Sequence, residues 1–451
     1  MRHTMRWAVT LGAIGGTLIL GQIASAQTIS GSTRPELRPS QDEVSRAGPA
    51  PLLGLELAPV LRPLLRPTTV AERAPVSINE AGFNGWIDQF RSRARAQGID
   101  ANTFDRAFRG VTYDAEVIRL DGNQSEFSKT IWQYLDSAVS DGRVTNGRAA
   151  VRDHERTLDA IEARYGVEKE VVVAVWGLET NYGSFRGGSD VVRSLATLAY
   201  DGRRGAFFEE QLVAALRILQ NGDTSPRNMT GSWAGAMGHT QFIPTSYLEY
   251  AVDFTGDGKR DIWSDDPTDA LASTAAYLAK FGWTKGQPWG VEVKLPSGFD
   301  YASASRKVER TPAQWARLGV VGANGQTIAN HGPASILLPA GSQGAAFMIF
   351  KNFSVIERYN AADAYVIGVG HLSDRIAGGP PIAANWPRSD RALKSSERKE
   401  LQQRLTAAGF NTEGVDGRIG PKTQEAVRGY QRANGLIADG YSSLSLLNRL
   451  R

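Results

Sequence analysis

The stretch VVVAVWGLETNYGS, Val171 to Ser184, decides where this sequence places its central helix and its chemistry. The apolar run predicts a helix whose last turn carries Glu179, and Gly183 predicts the stop that follows it. Glu179 stands three residues after Trp176 and four after Val175, so it shares their helix face at its edge. A buried carboxylate is costly unless it is paired, hydrogen-bonded or neutral. The position of Glu179 therefore needs a physical reason.

General acid catalysis would give Glu179 such a reason. Burial disfavours the charged form of a carboxyl group, and the negative end of a helix does the same, so both are expected to raise its pKa. A glutamic acid that stays protonated near neutral pH can protonate a glycosidic oxygen. The alternative is a structural glutamate that satisfies neighbouring backbone groups, and the local sequence leaves both interpretations open.

Composition places the chain among soluble globular proteins. Its 451 residues, 41% hydrophobic and 22% charged, predict two or three domains. Cysteine is absent, which excludes disulfides, zinc–thiolate sites and a cysteine nucleophile. The five histidines are scattered without metal-ligand spacing, and a structural role is predicted for His239.

The N-terminus predicts a secreted protein. Residues 1–26 combine two arginines, an apolar run and an A-x-A cleavage pattern, which are typical of a signal peptide. The alternative is an uncleaved membrane anchor. Cleavage would lower the formal net charge from +4 to +2, too close to neutral to indicate nucleic-acid binding. We therefore expect a soluble periplasmic protein that is not membrane-anchored after signal cleavage.

The remaining sequence divides into four segments. Residues 27–77 form a Pro-rich linker, residues 78–378 a large domain, residues 379–392 a second linker and residues 393–451 a small module. Helical periodicity dominates the large domain, and a single helix is expected over residues 147–166. The stretches GVEVKLP and AAFMIF predict strands. The fold class is therefore α+β, mostly helical.

A second motif makes the chemistry specific. GSWAGAMGHTQF, residues 231–242, follows the Glu179 motif by about fifty residues, and together the two motifs resemble the lytic murein transglycosylase B family. The resemblance covers roughly residues 83–372. It implies a lysozyme-like catalytic domain that cleaves peptidoglycan and requires no cofactor.

The resemblance also implies roles for individual residues. Glu179 matches the catalytic acid/base, and Ser232 and Gln241 match polar residues that line the cleavage site. Further matches to substrate-binding residues are Arg203, Arg204, Tyr277, Tyr359, Asn360 and Tyr365. The arginines would meet acidic stem peptides, whereas the tyrosines and the asparagine would line the groove. Without the resemblance, the sequence favours a core position for Tyr277 and a solvated helix start for Arg203 and Arg204.

The reaction expected from one carboxyl group differs from ordinary glycoside hydrolysis, which uses two. The family resemblance implies that the C6 hydroxyl of N-acetylmuramic acid attacks C1 of the same sugar. Glu179 would act as sole acid and base, and the product would carry a 1,6-anhydromuramoyl end. The alternatives are a hydrolytic muramidase on the same fold and a non-catalytic cell-wall-binding protein.

The acidic stretch DFTGDGKRDIWS follows the spacing of an EF-hand calcium loop in part. Its candidate ligands, in loop order, are Asp253, Thr255, Asp257, Lys259 through its carbonyl and Asp261. Ser264 stands where a bidentate acid is expected. A structural Ca²⁺ and a metal-free turn held by side-chain hydrogen bonds both fit the sequence.

The last segment resembles the small three-helix peptidoglycan-binding domain. The turn VDGRIGPKT, residues 415–423, fits a tight loop followed by a helix with proline in its first turn. The resemblance implies attachment to glycan strands and stem peptides, which would raise the local substrate concentration. The alternative is a generic helical docking module.

Overall fold

The computed structural model describes residues 80–122 and 129–451. The predicted signal peptide, the Pro-rich linker and residues 123–128 lie outside the described residues. Within those two ranges, no helix is both long and apolar enough to cross a membrane.

Helices dominate the described ranges, and short strands accompany them. The helices are α1 Glu80–Ala96, α2 Ala101–Ala107, α3 Ala115–Gly122, α4 Ile131–Ala138, α5 Asp141–Asp153, α6 Glu155–Tyr165, α7 Lys169–Thr180, α8 Val191–Asp201, α9 Gly205–Asn221, α10 Pro244–Tyr250, α11 Thr268–Lys280, α12 Pro312–Arg317, α13 Lys351–Tyr359, α14 Asp363–Ile376, α15 Ser395–Ala407, α16 Pro421–Ala433 and α17 Leu444–Leu450. The strands are β1 Ser189–Asp190, β2 Thr230–Gly231, β3 Gly290–Lys294, β4 Val321–Gly322, β5 Ser335–Leu337 and β6 Ala346–Ile349. The α+β, mostly helical class is confirmed.

The central helix is α7, and it is buried on every side. All residues from 171 to 177 are buried, so α7 has no solvent-facing stripe. It packs against α14, α5, α11 and α6. The expectation that Glu179 lies at the edge of an apolar face is therefore wrong in detail. The whole helix lies inside the domain, because helices that are apolar all round are buried from all directions.

The single helix expected over residues 147–166 is two helices. α5 ends at Asp153 and α6 begins at Glu155, because His154 leaves helical geometry at φ −114° and ψ 20°. The His154 ring packs edge-on against Trp176 of α7, with the ring centroids 5.5 Å apart. Tertiary packing thus interrupts a helical pattern that local periodicity continues. Gly166 ends α6 in the left-handed conformation, as the sequence predicts.

The two predicted strands are confirmed and are neighbours in one antiparallel sheet. The sheet order is β4-β3-β6-β5, and Val293 of β3 pairs with Ala346 of β6. This sheet has its own core, in which Trp315 is fully buried and its indole N–H donates to the Ala334 carbonyl at 2.8 Å. The sheet therefore forms a second layer beside the helical core.

The C-terminal module has the three helices expected of it, α15 to α17. Its core contains Leu401, Leu405, Val427 and Leu447, all fully buried. Pro421 occupies the first turn of α16, where a missing backbone N–H costs nothing.

The predicted second linker packs on the large domain. The backbone N–H groups of Ala383 and Ala384 donate to the Glu292 carboxylate at 2.8 and 2.7 Å. Arg388 binds Asp136 through two hydrogen bonds of 2.7 and 2.9 Å. These contacts tie residues 382–388 to β3 and α4.

The small module also contacts the large domain directly. Asp439 accepts hydrogen bonds from the backbone N–H and the hydroxyl of Ser342, both at 2.9 Å. Together with the packed linker, this contact joins the module to the large domain.

Candidate active site

Glu179 lies in the last turn of α7 and is 4% exposed. Its Oε1 atom accepts a hydrogen bond from the Tyr365 hydroxyl at 2.6 Å. Tyr365 is itself buried, on α14, 186 residues further along the chain. A short hydrogen bond between two buried groups fixes the rotamer of the carboxyl side chain, which is the first requirement for a group that must meet one oxygen of a substrate.

The turn after Glu179 has a conformation that side chains other than glycine rarely adopt. Asn181 and Tyr182 have φ of 49° and 58°, and Gly183 follows at 80°. The Tyr182 hydroxyl donates to the Arg143 carbonyl at 2.7 Å, which anchors the turn to α5. Residues held in sparsely populated backbone regions cluster at functional sites, so the turn itself marks this end of α7 as a candidate site.

The predicted second motif folds into a tight hairpin beside this turn. Ser232 and Ala236 exchange backbone and side-chain hydrogen bonds of 2.8 and 3.0 Å. Gln241 has φ 55°, and its side-chain N–H₂ donates to the carbonyls of Arg186 and Gly238 at 3.0 and 2.9 Å. With both amide hydrogens used, Gln241 presents its carbonyl oxygen as an acceptor.

His239 joins the hairpin to the end of α7. Its carbonyl accepts from the Thr180 hydroxyl at 2.6 Å, and its Nδ1 atom lies 3.1 Å from Trp176 Nε1. Because an indole N–H can only donate, Nδ1 accepts and the ring proton is on Nε2. Nε2 therefore donates to the Ser264 carbonyl at 2.7 Å. Burial lowers the pKa of His239, which keeps this neutral form.

The three predicted groove tyrosines are buried. Tyr359 is 0% exposed, and its hydroxyl donates to the Thr240 carbonyl at 2.8 Å. Tyr277 is 5% exposed, and its hydroxyl donates to the Arg358 carbonyl at 2.6 Å. In this conformation the rings of Tyr277 and Tyr359 belong to the core and are not exposed for stacking on a sugar ring. Tyr365 is the tyrosine that reaches Glu179.

Asn360 lies in the connection between α13 and α14 and is partly exposed. Its side-chain oxygen accepts from the Ala362 N–H at 3.1 Å. Its N–H₂ group has no protein partner among residues 80–122 and 129–451, so it can donate to a ligand.

Arg203 and Arg204 bind a buried carboxylate. Arg203 Nε donates to Asp121 Oδ2 at 2.8 Å, and Arg204 Nη2 donates to Asp121 Oδ1 at 3.3 Å. Asp121 is 4% exposed, whereas about half of the Arg203 side chain faces solvent. The structure thus places both arginines around Asp121 at the α8–α9 junction, with only Arg203 broadly accessible.

Comparison with known proteins agrees with this geometry. Residues 82–374 match the family described as the transglycosylase SLT domain, and residues 394–450 match the putative peptidoglycan binding domain. The chain belongs to the transglycosylase SLT family. It is therefore an enzyme with a lysozyme-like catalytic domain, and the resemblance drawn from the two sequence motifs is confirmed.

Three relatives illustrate the similarity. Membrane-bound lytic murein transglycosylase B of Escherichia coli K12 is 34% identical over 277 residues, which are 58% of this chain and 74% of that protein. SltB3 of Pseudomonas aeruginosa, crystallised with NAG-anhNAM-pentapeptide, is 51% identical with a TM-score of 0.80, covering 82% of this chain and 99% of that one. Slt35 of Escherichia coli, crystallised with calcium, is 31% identical with a TM-score of 0.56, covering 66% and 93%.

The acidic loop of this transglycosylase SLT domain brings three carboxylates together. Oxygens of Asp253, Asp257 and Asp269 lie within 4.8 Å of one another. Asp253 accepts from the N–H groups of residues 256, 257 and 258, at 2.6 to 3.2 Å. Burial raises the pKa of Asp269. The partial burial of Asp253 acts in the same direction, but hydrogen bonds from backbone N–H groups outweigh it and lower the pKa of Asp253.

The other predicted ligands of the loop have different partners. Thr255 donates its hydroxyl to Asp253, and the Lys259 N–H donates to Asp257. Asp261 Oδ1 accepts from the N–H groups of Trp263 and Ser264 at 2.9 and 3.1 Å. The carboxylate that converges with Asp253 and Asp257 is therefore Asp269, and Asp261 is turned away.

Sequence reasoning missed Asp269 and Asp121 as members of these clusters. Asp269 lies in the first turn of α11, five residues beyond the end of the EF-hand spacing, so the motif does not include it. Nothing in the sequence around Asp121 indicates that two arginines 82 and 83 residues later bind it.

Proposed function

We propose that this protein is a periplasmic lytic transglycosylase that cleaves the β-1,4 bond between N-acetylmuramic acid and N-acetylglucosamine in peptidoglycan. The observation that carries the proposal is the buried carboxyl of Glu179, fixed by Tyr365 beside the hairpin of Ser232 and Gln241. Family membership supports the reaction class. Residues 1–26 would direct secretion before cleavage.

In the proposed reaction Glu179 acts twice. It first donates its proton to the glycosidic oxygen, and the bond from C1 of N-acetylmuramic acid to that oxygen breaks. The resulting carboxylate then takes the proton of the C6 hydroxyl as its oxygen bonds to C1. One bond breaks, one forms, Glu179 recovers its proton, and no water is consumed. Gln241 and Asn360 would hold sugar amides and hydroxyls through their neutral donors and acceptors.

Product mass tests this proposal directly. Purified murein sacculi are digested with the full chain, and the muramic ends are analysed by mass spectrometry. We expect anhydromuramoyl ends, whereas reducing ends about 18 Da heavier, because of one added water, would make the protein a hydrolytic muramidase. Glu179→Gln is expected to lower the rate by about 10²–10⁴-fold. A folded Glu179→Gln protein that retains activity would remove Glu179 from the mechanism, and a chain without any cleavage would be a wall-binding protein.

Arg203 is proposed to meet the acidic stem peptide of the substrate. Its Nε and Nη2 atoms bind Asp121, which leaves Nη1 on the exposed side of a guanidinium whose orientation is fixed. Arg204 binds Asp121 and lies over the Phe208 ring at 4.7 Å, so its contribution is to hold the carboxylate that orients Arg203. Arg203→Lys should weaken binding of peptide-bearing glycan more than that of glycan without stems.

The C-terminal module is proposed to hold the enzyme on the wall. Deletion of residues 391–451 should weaken co-sedimentation with sacculi and leave cleavage of soluble glycan intact, because the module raises only the local substrate concentration. Unchanged sedimentation would instead favour a generic docking role.

We further propose that the acidic loop binds a structural Ca²⁺, and the donor set fits this ion. The carboxylates of Asp253, Asp257 and Asp269 converge, with one oxygen of each within 4.8 Å of the others. Calcium prefers six to eight oxygen ligands, so these carboxylates would need the Lys259 carbonyl and solvent to complete the shell. The related Slt35 structure holds calcium. The ion would cross-link the loop to α11 and would not contact the reacting atoms.

A further inference from the structure

His239 has every polar group engaged, and its partners belong to two different parts of the domain. Towards α7, its carbonyl binds Thr180 and its Nδ1 binds Trp176. Towards the far end of the acidic loop, its N–H donates to the Ile262 carbonyl at 3.0 Å and its Nε2 donates to the Ser264 carbonyl at 2.7 Å. His239 is 3% exposed, so solvent competes little for these bonds.

Arg186 makes a second connection between the same two regions. Its Nη1 donates to the Ser264 carbonyl at 2.6 Å, and its Nη2 donates to Asp265 at 2.8 Å. Its own carbonyl accepts from Gln241 Nε2 at 3.0 Å. The end of the acidic loop is thus bound both to the residues that flank Glu179 and to the residue that presents Gln241.

We infer that His239 is a positioning residue that couples the order of the acidic loop to the position of Glu179. Trp176 and Thr180 lie three residues before and one residue after Glu179, so a shift of His239 moves the turn of helix that carries the acid. The inference rests on the proposed role of Glu179. It assigns to the acidic loop an effect on turnover in addition to any effect on stability.

The two connections of His239 can be separated by substitution. An asparagine amide can place an acceptor near the position of Nδ1, and a glutamine amide can place a donor near that of Nε2. His239→Asn therefore keeps the partner of Trp176 and loses the bond to Ser264, whereas His239→Gln keeps the bond to Ser264 and loses the partner of Trp176. Asp253→Ala disorders the loop from its other end, because Asp253 accepts three of its backbone N–H groups.

The experiment measures kcat and KM of the full chain on soluble glycan. We expect His239→Asn to lower kcat by about 5- to 150-fold with KM changed by less than about twofold, since coupling between sites typically amounts to 1–3 kcal/mol. Asp253→Ala should lower kcat in the wild-type background and have a smaller effect in the His239→Asn background, because the side-chain connection to Ser264 is already lost there. Trp315→Phe, which removes a buried indole hydrogen bond in the other core, is the control for stability loss alone.

The outcomes separate the two proposals. The coupling does not exist if the double variant lowers kcat by the product of the two single fold-changes. It does not exist either if both variants lower thermal stability while kcat stays at the wild-type value. If Trp315→Phe lowers kcat as much as His239→Asn, general destabilisation explains the effect. In each of these cases loss of activity in Glu179→Gln keeps the proposed function, whereas an active Glu179→Gln protein overturns the proposed function itself.

Discussion

The close contact between the hairpin and the acidic loop can be tested with one methyl group. Gly238 has φ +66°, and a Cβ atom added there would lie 2.2 Å from the Ile262 carbonyl oxygen. That oxygen belongs to the backbone and accepts the His239 N–H at 3.0 Å, so it cannot move away without breaking this bond. Gly238→Ala must therefore separate the two segments.

The matched control is Gly166, which ends α6 at φ +65° and has no atom within 4 Å of an added Cβ. Both alanine variants pay the same penalty for a left-handed residue, about 1–2 kcal/mol. Gly238→Ala should lose about 2–5 kcal/mol more, the sum of an overpacked contact and a broken buried hydrogen bond.

Urea unfolding of the full chain, followed by tryptophan fluorescence, measures the difference. We expect the midpoint for Gly238→Ala to lie well below that for Gly166→Ala, with similar slopes, since the two native states expose similar surface on unfolding. Free energies of unfolding that agree within about 0.5 kcal/mol, the usual range of a neutral change, would refute the reasoning. The hairpin would then not lie as close to the loop as described.

Three further predictions concern single side chains. Burial lowers the pKa of His371 from 6.5 to about 4, so between these pH values the unfolded chain binds a proton that the folded chain does not. The free energy of unfolding should therefore be highest above pH 6.5 and fall by about 3 kcal/mol as the pH drops towards 4. His371→Gln should reduce this fall when the free energy is measured by urea unfolding at each pH. Millimolar calcium should raise the melting temperature of the wild type and of Asp261→Asn but not of Asp269→Asn, in differential scanning calorimetry; a shift that Asp261→Asn loses and Asp269→Asn keeps would restore Asp261 as the ligand. Tyr365→Phe removes the hydroxyl that donates a 2.6 Å hydrogen bond to Glu179. The activation free energy should rise by about 1.5–3 kcal/mol, which lowers kcat roughly 10- to 150-fold on soluble glycan and leaves KM nearly unchanged. An effect on KM alone would show that the hydroxyl binds substrate.

Local sequence rules predicted much of the fold. The end of α7 near Gly183, the strands β3 and β6 and the first turn of α16 at Pro421 all follow from propensity and turn chemistry, which depend on a few neighbouring residues. The division between α5 and α6 did not follow, because the interruption at His154 is set by Trp176, 22 residues later.

The sequence names candidate site residues but does not predict how their side chains are arranged. The motifs identify Tyr277 and Tyr359 as functional, and a tyrosine in a sugar-binding motif suggests an exposed ring. Both rings are buried, and their hydroxyl groups bind backbone carbonyls. Which side of a buried helix faces a cleft depends on packing between elements far apart in the chain, and no local pattern encodes it. For the same reason the EF-hand spacing favoured Asp261, although the carboxylate that lies near Asp253 and Asp257 is that of Asp269.

The two tyrosines of α13 and α14 explain how distant segments come together around Glu179. Tyr359 binds the Thr240 carbonyl in the hairpin, and Tyr365 binds Glu179 at the end of α7. Their rings are nearly parallel, with centroids 6.5 Å apart. Because both lie on one short stretch of chain, that stretch fixes the distance between the hairpin and the acid. Glu179 is thus positioned from one side by Tyr365 and from the other by Thr180 and its partner on the hairpin, so a displacement of either side must be transmitted to the carboxyl group.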